Sequence, residues 1–124
     1  MKASFIETSG FIGVREDFLP DPALARLQQA LMADPDLGDV MPGCGGLRKL
    51  RLADENRRKG KRGGARLIYL HVPEVKRFYL IDIYGKNEKE DLSAADKKAF
   101  GRFAKAIKEA AIGEVRNKLK ENDT

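Results

Sequence analysis

Lys49 and Arg51 stand two residues apart in the stretch Leu47-Arg48-Lys49-Leu50-Arg51-Leu52, and Arg66 opens a second apolar run that ends at Val72. A third run, Arg77 to Tyr84, is followed by Gly85, Lys86 and Asn87. Alternate residues of a strand share a face, so Lys49 and Arg51 project together, Arg66 begins the neighbouring strand, and Lys86 ends the third just after Tyr84. Cations gathered in this way have a definite chemistry. They can align an RNA backbone while a ribose 2′-hydroxyl attacks the adjacent phosphate in line, and they stabilise the dianionic phosphorane without a metal. A guanidinium holds two phosphate oxygens at once, whereas an ammonium acts as a compact charge. The same residues also describe a passive phosphate-binding face or a solvated strand face. Composition by itself favours that blander account, because basic patches commonly serve binding.

The charge around these residues is concentrated. Between Gly46 and Arg66 nine bases (Arg48, Lys49, Arg51, Arg57, Arg58, Lys59, Lys61, Arg62, Arg66) face two acids, Asp54 and Glu55. Residues 1–45 carry seven acids and only three bases, and the whole chain is +5. Such an asymmetry is the footprint expected for a polyanionic partner, a nucleic acid or an acidic protein. At 124 residues the chain is expected to be one domain, 1–124, with 113–124 a polar C-terminal tail. No run of about 18 apolar residues occurs, so no membrane span is expected, and the N-terminus lacks a signal-peptide core. A cytoplasmic location is the resulting expectation. Cys44 is the one cysteine, which excludes an internal disulfide.

The elements that must position the cations read as β–α–α–β–β–β–α. Ala3 to Glu7 is a short strand. Phe11, Val14 and Phe18 recur at helical spacing from Ser9 to Phe18. Asp21 suits an N-cap and Pro22 a first helical position, with Leu24, Leu27 and Leu31 as the apolar stripe through Ala33. Residues 36–46 read as loop. Leu47–Leu52 alternates, Arg66–Val72 is apolar on both faces and therefore central, and Pro73-Glu74-Val75 turns the chain into Arg77–Tyr84 as a hairpin. Ser93 and Asp96 have capping-box spacing before a helix whose apolar face is Phe100, Phe103, Ala104, Ile107 and Ala111, with Gly113 a candidate break. The expected fold is α+β: a small antiparallel sheet with helices packed on it.

Other chemistries are poorly supplied. Cys44 and His71 do not make a metal set, so no metal and no cofactor are expected. His71 reads as a structural strand residue, and Cys44, with no base near it in sequence, as inert. Gly43-Cys44-Gly45-Gly46 runs loop-then-strand, the wrong order for a phosphate loop. Asp82, Glu88, Glu90 and Asp91 have the chemistry to hold a metal, but a solvated loop or a protein-partner contact is the blander account.

GGLRKLR, GKRGGARLIY and IYGKNEKEDLS occur in that order, accompanied by FIET, LQQALMADPDLGDVMPG and DLSAADKKAFGRF. Together they resemble the HigB-type toxins of the RelE superfamily over roughly Phe5 to Ile107. The resemblance implies a RelE-like curved antiparallel sheet with two N-terminal helices and a C-terminal helix. It implies the toxin of a type II toxin–antitoxin pair, an endoribonuclease that cleaves mRNA in the ribosomal A site without metal and so inhibits translation. Its partners would be the ribosome, mRNA and a HigA-type antitoxin with a helix-turn-helix domain, with DNA touched only through that antitoxin.

RelE's Lys-x-Lys on the second strand corresponds to Lys49-Leu50-Arg51, and its strand-start arginine to Arg66. Its Gly-Lys-Arg after the last strand is Gly85-Lys86-Asn87 here, without the arginine, and its C-terminal tyrosine falls near Ser93. On this resemblance Lys49 or Tyr84 takes the 2′-hydroxyl proton, Arg51 and Arg66 hold the scissile phosphate, and Lys86 assists. Arg48, Arg57, Arg58, Lys59, Lys61, Arg62 and Asn87 would grip RNA or the ribosome. The same superfamily also hosts inhibitors of DNA gyrase, and a non-catalytic nucleic-acid-binding module is a third reading, since fold alone does not fix function.

Overall fold

The computed structural model describes residues 2–53, 64–85 and 92–122. In chain order these form β1 (Ser4–Glu7), α1 (Ser9–Phe18), α2 (Asp21–Ala33), β2 (Asp39–Val40), β3 (Arg48–Leu52), β4 (Ala65–Val72), a 3-10 turn (Pro73–Val75), β5 (Arg77–Gly85) and α3 (Ala94–Asn122). The described strands make one sheet in the order β1-β5-β4-β3-β2. β4 is its middle strand, as a sequence apolar on both faces requires. The β4–β5 hairpin is present, and Lys76 completes its turn in the left-handed region at φ 53°. No helix among the described residues is long and apolar enough to cross a membrane.

The α+β class stands, but the sheet is mixed and not wholly antiparallel. β1 runs parallel to β5, with Ser4 opposite Arg77 and Glu7 opposite Leu80. Alternation in a short segment defines two faces and carries no information about which neighbour the strand will join, or in which direction. Within the stretch read as loop, Asp39 and Val40 pair antiparallel with Lys49 and Arg48 and add the edge strand β2.

The sheet separates two apolar clusters. On one face α1 and α2 bury Phe11, Phe18, Leu27 and Leu31 against Leu67, Tyr69, Phe78 and Leu80. Each such side chain contributes roughly 1.5–3 kcal/mol of burial. On the other face α3 packs Ala104, Phe100 and Ile107 over Ile68, Leu70, Val72 and Ile81. Helix starts follow local chemistry. Thr8 caps α1: its hydroxyl accepts the Phe11 amide at 3.4 Å and donates to Ile81 O at 2.8 Å. Asp21 is the first residue of α2 and Pro20 the cap, which makes no side-chain bond. Asp21 instead pairs with Arg15 at 2.6 Å. Ser93 and Asp96 form the reciprocal capping box, Ser93 Oγ accepting the Asp96 amide at 3.1 Å and Asp96 the Ser93 amide at 3.2 Å. Gly113 does not break α3, which runs unbroken over 29 residues from Ala94 to Asn122. Phe103 points outward at 43% exposure, the exception on the expected apolar face.

One irregularity bears on the site. Ile68 faces Asp82 and Tyr69 faces Leu80, so Ile81 is an extra residue, a bulge in β5. A bulge shifts the strand's alternation by one. Leu80 and Ile83 therefore face α1 and α2, while Ile81 and Tyr84 face α3. Thr8 holds the bulge at the Ile81 carbonyl, and the Asp82 carboxylate accepts the Ile83 amide at 2.9 Å.

Candidate nucleic-acid interface

β3 and β4 place three of the expected cations on one face. Arg51 lies directly opposite Arg66 in the ladder, and Lys49 lies opposite Ile68, which shares the Arg66 face. Like charges directly opposite one another cost a sheet pair roughly 0.2–1 kcal/mol, and an anion between them would relieve that repulsion. The Arg66 guanidinium also donates to Ala65 O at 3.1 Å. The three side chains line a cleft of about 390 Å³ together with Lys97 from the first turns of α3. Asp39 is the carboxylate of this lining, and Met41, Pro42, Cys44 and Leu92 supply an apolar wall. Among the described residues Lys49, Arg51, Lys97 and Asp39 make no ion pair and no side-chain hydrogen bond.

The wall is held from behind the sheet. Tyr69 is fully buried, donates its hydroxyl to Pro35 O at 2.8 Å and accepts the Gly38 amide at 2.9 Å. Burial pushes its phenol above the usual range, so it stays a neutral donor. A Cβ at position 38 would come within 2.9 Å of the Tyr69 ring, which is why a glycine passes here. The loop after β2 turns through Gly45 at φ 69°, and a Cβ there would meet Gly101 O at 2.8 Å and the Ala104 methyl at 3.0 Å. This close approach, with the Lys108 ammonium donating to Gly45 O at 2.8 Å, docks the loop against α3 and fixes the distance between wall and helix.

The remaining expected residues fall elsewhere. Tyr84 pairs with Arg66 across β4–β5 and shares its face, but it is 4% exposed and is not part of the cleft lining. Arg48 is on the opposite face, where its guanidinium donates to Gly38 O at 2.7 Å and Asp36 O at 3.3 Å and pairs with the Asp36 carboxylate at 3.3 Å. Arg57, Arg58, Lys59, Lys61, Arg62, Lys86 and Asn87 lie outside the described residues. Cys44 is buried, its thiol donating to Pro42 O at 3.6 Å. His71 stacks on Phe78 with ring centroids 4.4 Å apart, on the face away from the cleft. Two charged cleft residues escaped the sequence reading, Asp39 and Lys97, as did its apolar wall. The capping box does place Lys97 in the first turns of α3, but which way that turn faces is decided by tertiary packing.

A sheet-face cleft where cations converge beside an apolar wall has the charge and shape to take a phosphodiester backbone. The family comparison fits that class: residues 16–123 match the model described as the RelE toxin of the RelE / RelB toxin-antitoxin system. The chain belongs to the RelE toxin family, its fold is RelE-like, and it is the toxin of a toxin–antitoxin system with a cognate antitoxin as partner.

Proposed function

We propose that this toxin is a HigB-type endoribonuclease that cuts mRNA in the ribosomal A site, without metal, and thereby stops translation. The observation that carries the reading is the opposed Arg51–Arg66 pair with Lys49 beside it in an open cleft. Arg51 and Arg66 grip the scissile phosphate and neutralise the charge that develops on it. Lys49, in the same lining, takes the 2′-hydroxyl proton, and Lys97 adds a fourth cation from α3. Tyr84, buried beside Arg66, supports the floor of the site. Lys86 assists after β5, and the basic segment Arg57–Arg62 holds ribosomal RNA, with Asn87 beside Lys86. The antitoxin is of HigA type, carries the helix-turn-helix domain, and is the route by which the pair touches DNA. The toxin acts in the cytoplasm.

Primer extension on one mRNA, with and without translating ribosomes, tests this. Codon-phased cuts that need ribosomes are the expected result. Cuts without ribosomes make the protein a free ribonuclease. No cuts in either tube, from protein shown to be folded, transfer the reading to gyrase inhibition or to binding without cleavage, and a supercoiling assay separates those two.

A further inference from the structure

The apolar wall and the single carboxylate of the cleft have no part in gripping phosphate. Four cations account for a backbone, yet Pro42, Met41 and Leu92 line the same cavity, and Asp39 places a negative charge directly across the ladder from Lys49. A carboxylate there weakens phosphate binding unless it meets something else. We propose that this part of the cleft is a nucleobase subsite, in which the base of the nucleotide whose 3′-phosphate sits on Arg51 and Arg66 lies against Pro42 and Leu92 and presents its Watson–Crick edge to Asp39. The inference rests on the phosphodiester reading of the cations and extends it to base selectivity.

The spacing fits one nucleotide. Arg51 and Asp39 are separated by two residues along β3 and one strand across. That is roughly 8 Å between backbone positions, the reach from a nucleotide's phosphate to its base edge. The cavity, about 390 Å³, falls within the usual range for sites that hold small organic ligands. An ionised carboxylate only accepts hydrogen bonds. Guanine offers it two parallel donors, N1–H and the N2 amine. Adenine and cytosine each offer an amine. Uracil offers one N–H flanked by two carbonyls that repel the carboxylate. The order of preference is therefore guanine first and uracil last.

The test titrates the purified full chain with inorganic phosphate and with the 3′-monophosphates of guanosine, adenosine, cytidine and uridine at one ionic strength, by calorimetry. These are unreactive because nothing remains to be cleaved. All four nucleotides are expected to bind more tightly than phosphate, and the guanosine nucleotide at least about fivefold more tightly than the uridine one, the low end for a bidentate base contact. Asp39 is exposed, so Asp39→Asn leaves the core alone. It should bring the guanosine-to-uridine ratio close to one, because the new amide, one acceptor beside one donor, pairs equally with the N1–H/O6 edge of guanine and the N3–H/O4 edge of uracil. Leu92→Ala should weaken every nucleotide and leave phosphate unchanged. Equal binding of the four nucleotides overturns the subsite. So does an Asp39→Asn variant that binds phosphate and all nucleotides more tightly by one common factor, since Asp39 would then only temper the cations. If instead Lys49→Ala/Arg51→Ala binds phosphate as well as the parent does, the phosphodiester reading itself fails. A base-blind cleft that still cuts mRNA fails the subsite alone.

Discussion

Arg48 and Arg51 stand on the same strand, three residues apart, and are treated oppositely by the two faces of the sheet. On the α1/α2 face, Arg48 is matched: two carbonyls and the Asp36 carboxylate take its donors, and it fastens the 36–38 segment to the strand. On the α3 face, Arg51 meets another arginine, and neither Arg51 nor Lys49 makes an ion pair among the described residues, although Asp39 lies across the ladder from Lys49. One face resolves the charge of Arg48 within the fold, and the other leaves Lys49 and Arg51 for a ligand. Counting basic residues does not separate these roles. Whether the fold already satisfies them does.

The largest expected effect breaks the unmatched face. Lys49→Ala should lower cleavage by about 10²–10⁴-fold if its amine moves the proton. Arg51→Ala should lower it by about 10²–10³-fold through loss of phosphate stabilisation. Neither should cost stability. Arg51→Ala relieves an opposed like-charge pair and should raise the unfolding free energy by up to about 1 kcal/mol, read by urea denaturation. A loss of stability that matches the loss of rate would show that Arg51 belongs to the fold, as Arg48 does. On the matched face the order reverses. Tyr69→Phe strips the Pro35 carbonyl and the buried Gly38 amide of their partner and should cost about 1–3 kcal/mol. Hydrogen exchange at Gly38 should quicken, because the wall of the cleft is tied down there. Arg48→Ala should cost roughly 1 kcal/mol, less because Asp36 is well exposed, and should change the cleavage rate far less than Lys49→Ala does.

The features that depend on near neighbours in sequence were legible. Alternation put Lys49 and Arg51 on one face, an apolar run made β4 central, and a three-residue spacing announced the Ser93–Asp96 box. What required distant partners was not. Nothing in Ala3 to Glu7 shows that it will lie parallel to β5, and two residues are too few for β2 to show a period. Strict alternation through Phe78, Leu80, Asp82 and Tyr84 would put the tyrosine under α1 and α2. Only the bulge at Ile81, held by Thr8 from 73 residues away, turns it to the Arg66 side. The cleft itself was half visible: its strand cations could be read, but Asp39 and Lys97 arrive by tertiary packing.

The smallest effect concerns the one polar atom that the matched face leaves unmatched. Among the described residues, His71 Nε2 is buried without a hydrogen-bond partner, and the ring stacks on Phe78. Burial lowers the pKa of this imidazole, against weaker opposite effects from Asp36 and Glu74. The native state therefore takes up the proton less readily than the unfolded chain does. Above the unfolded histidine's pKa, about 6.5, both states are neutral and His71 has no pH-dependent effect. As the pH falls below that value the unfolded chain gains a proton first, and stability drops. His71→Leu, close in volume, should remove that part of the acid slope and should be neutral to stabilising by about 1 kcal/mol at neutral pH, because an apolar group replaces an unpaired polar one. Urea denaturation of both proteins at pH 7.5 and pH 5.5 reads the two effects separately. A variant that is less stable at pH 7.5, by more than the lost stacking on Phe78 explains, would mean that Nε2 has a partner in solution and that this face matches its polar groups throughout.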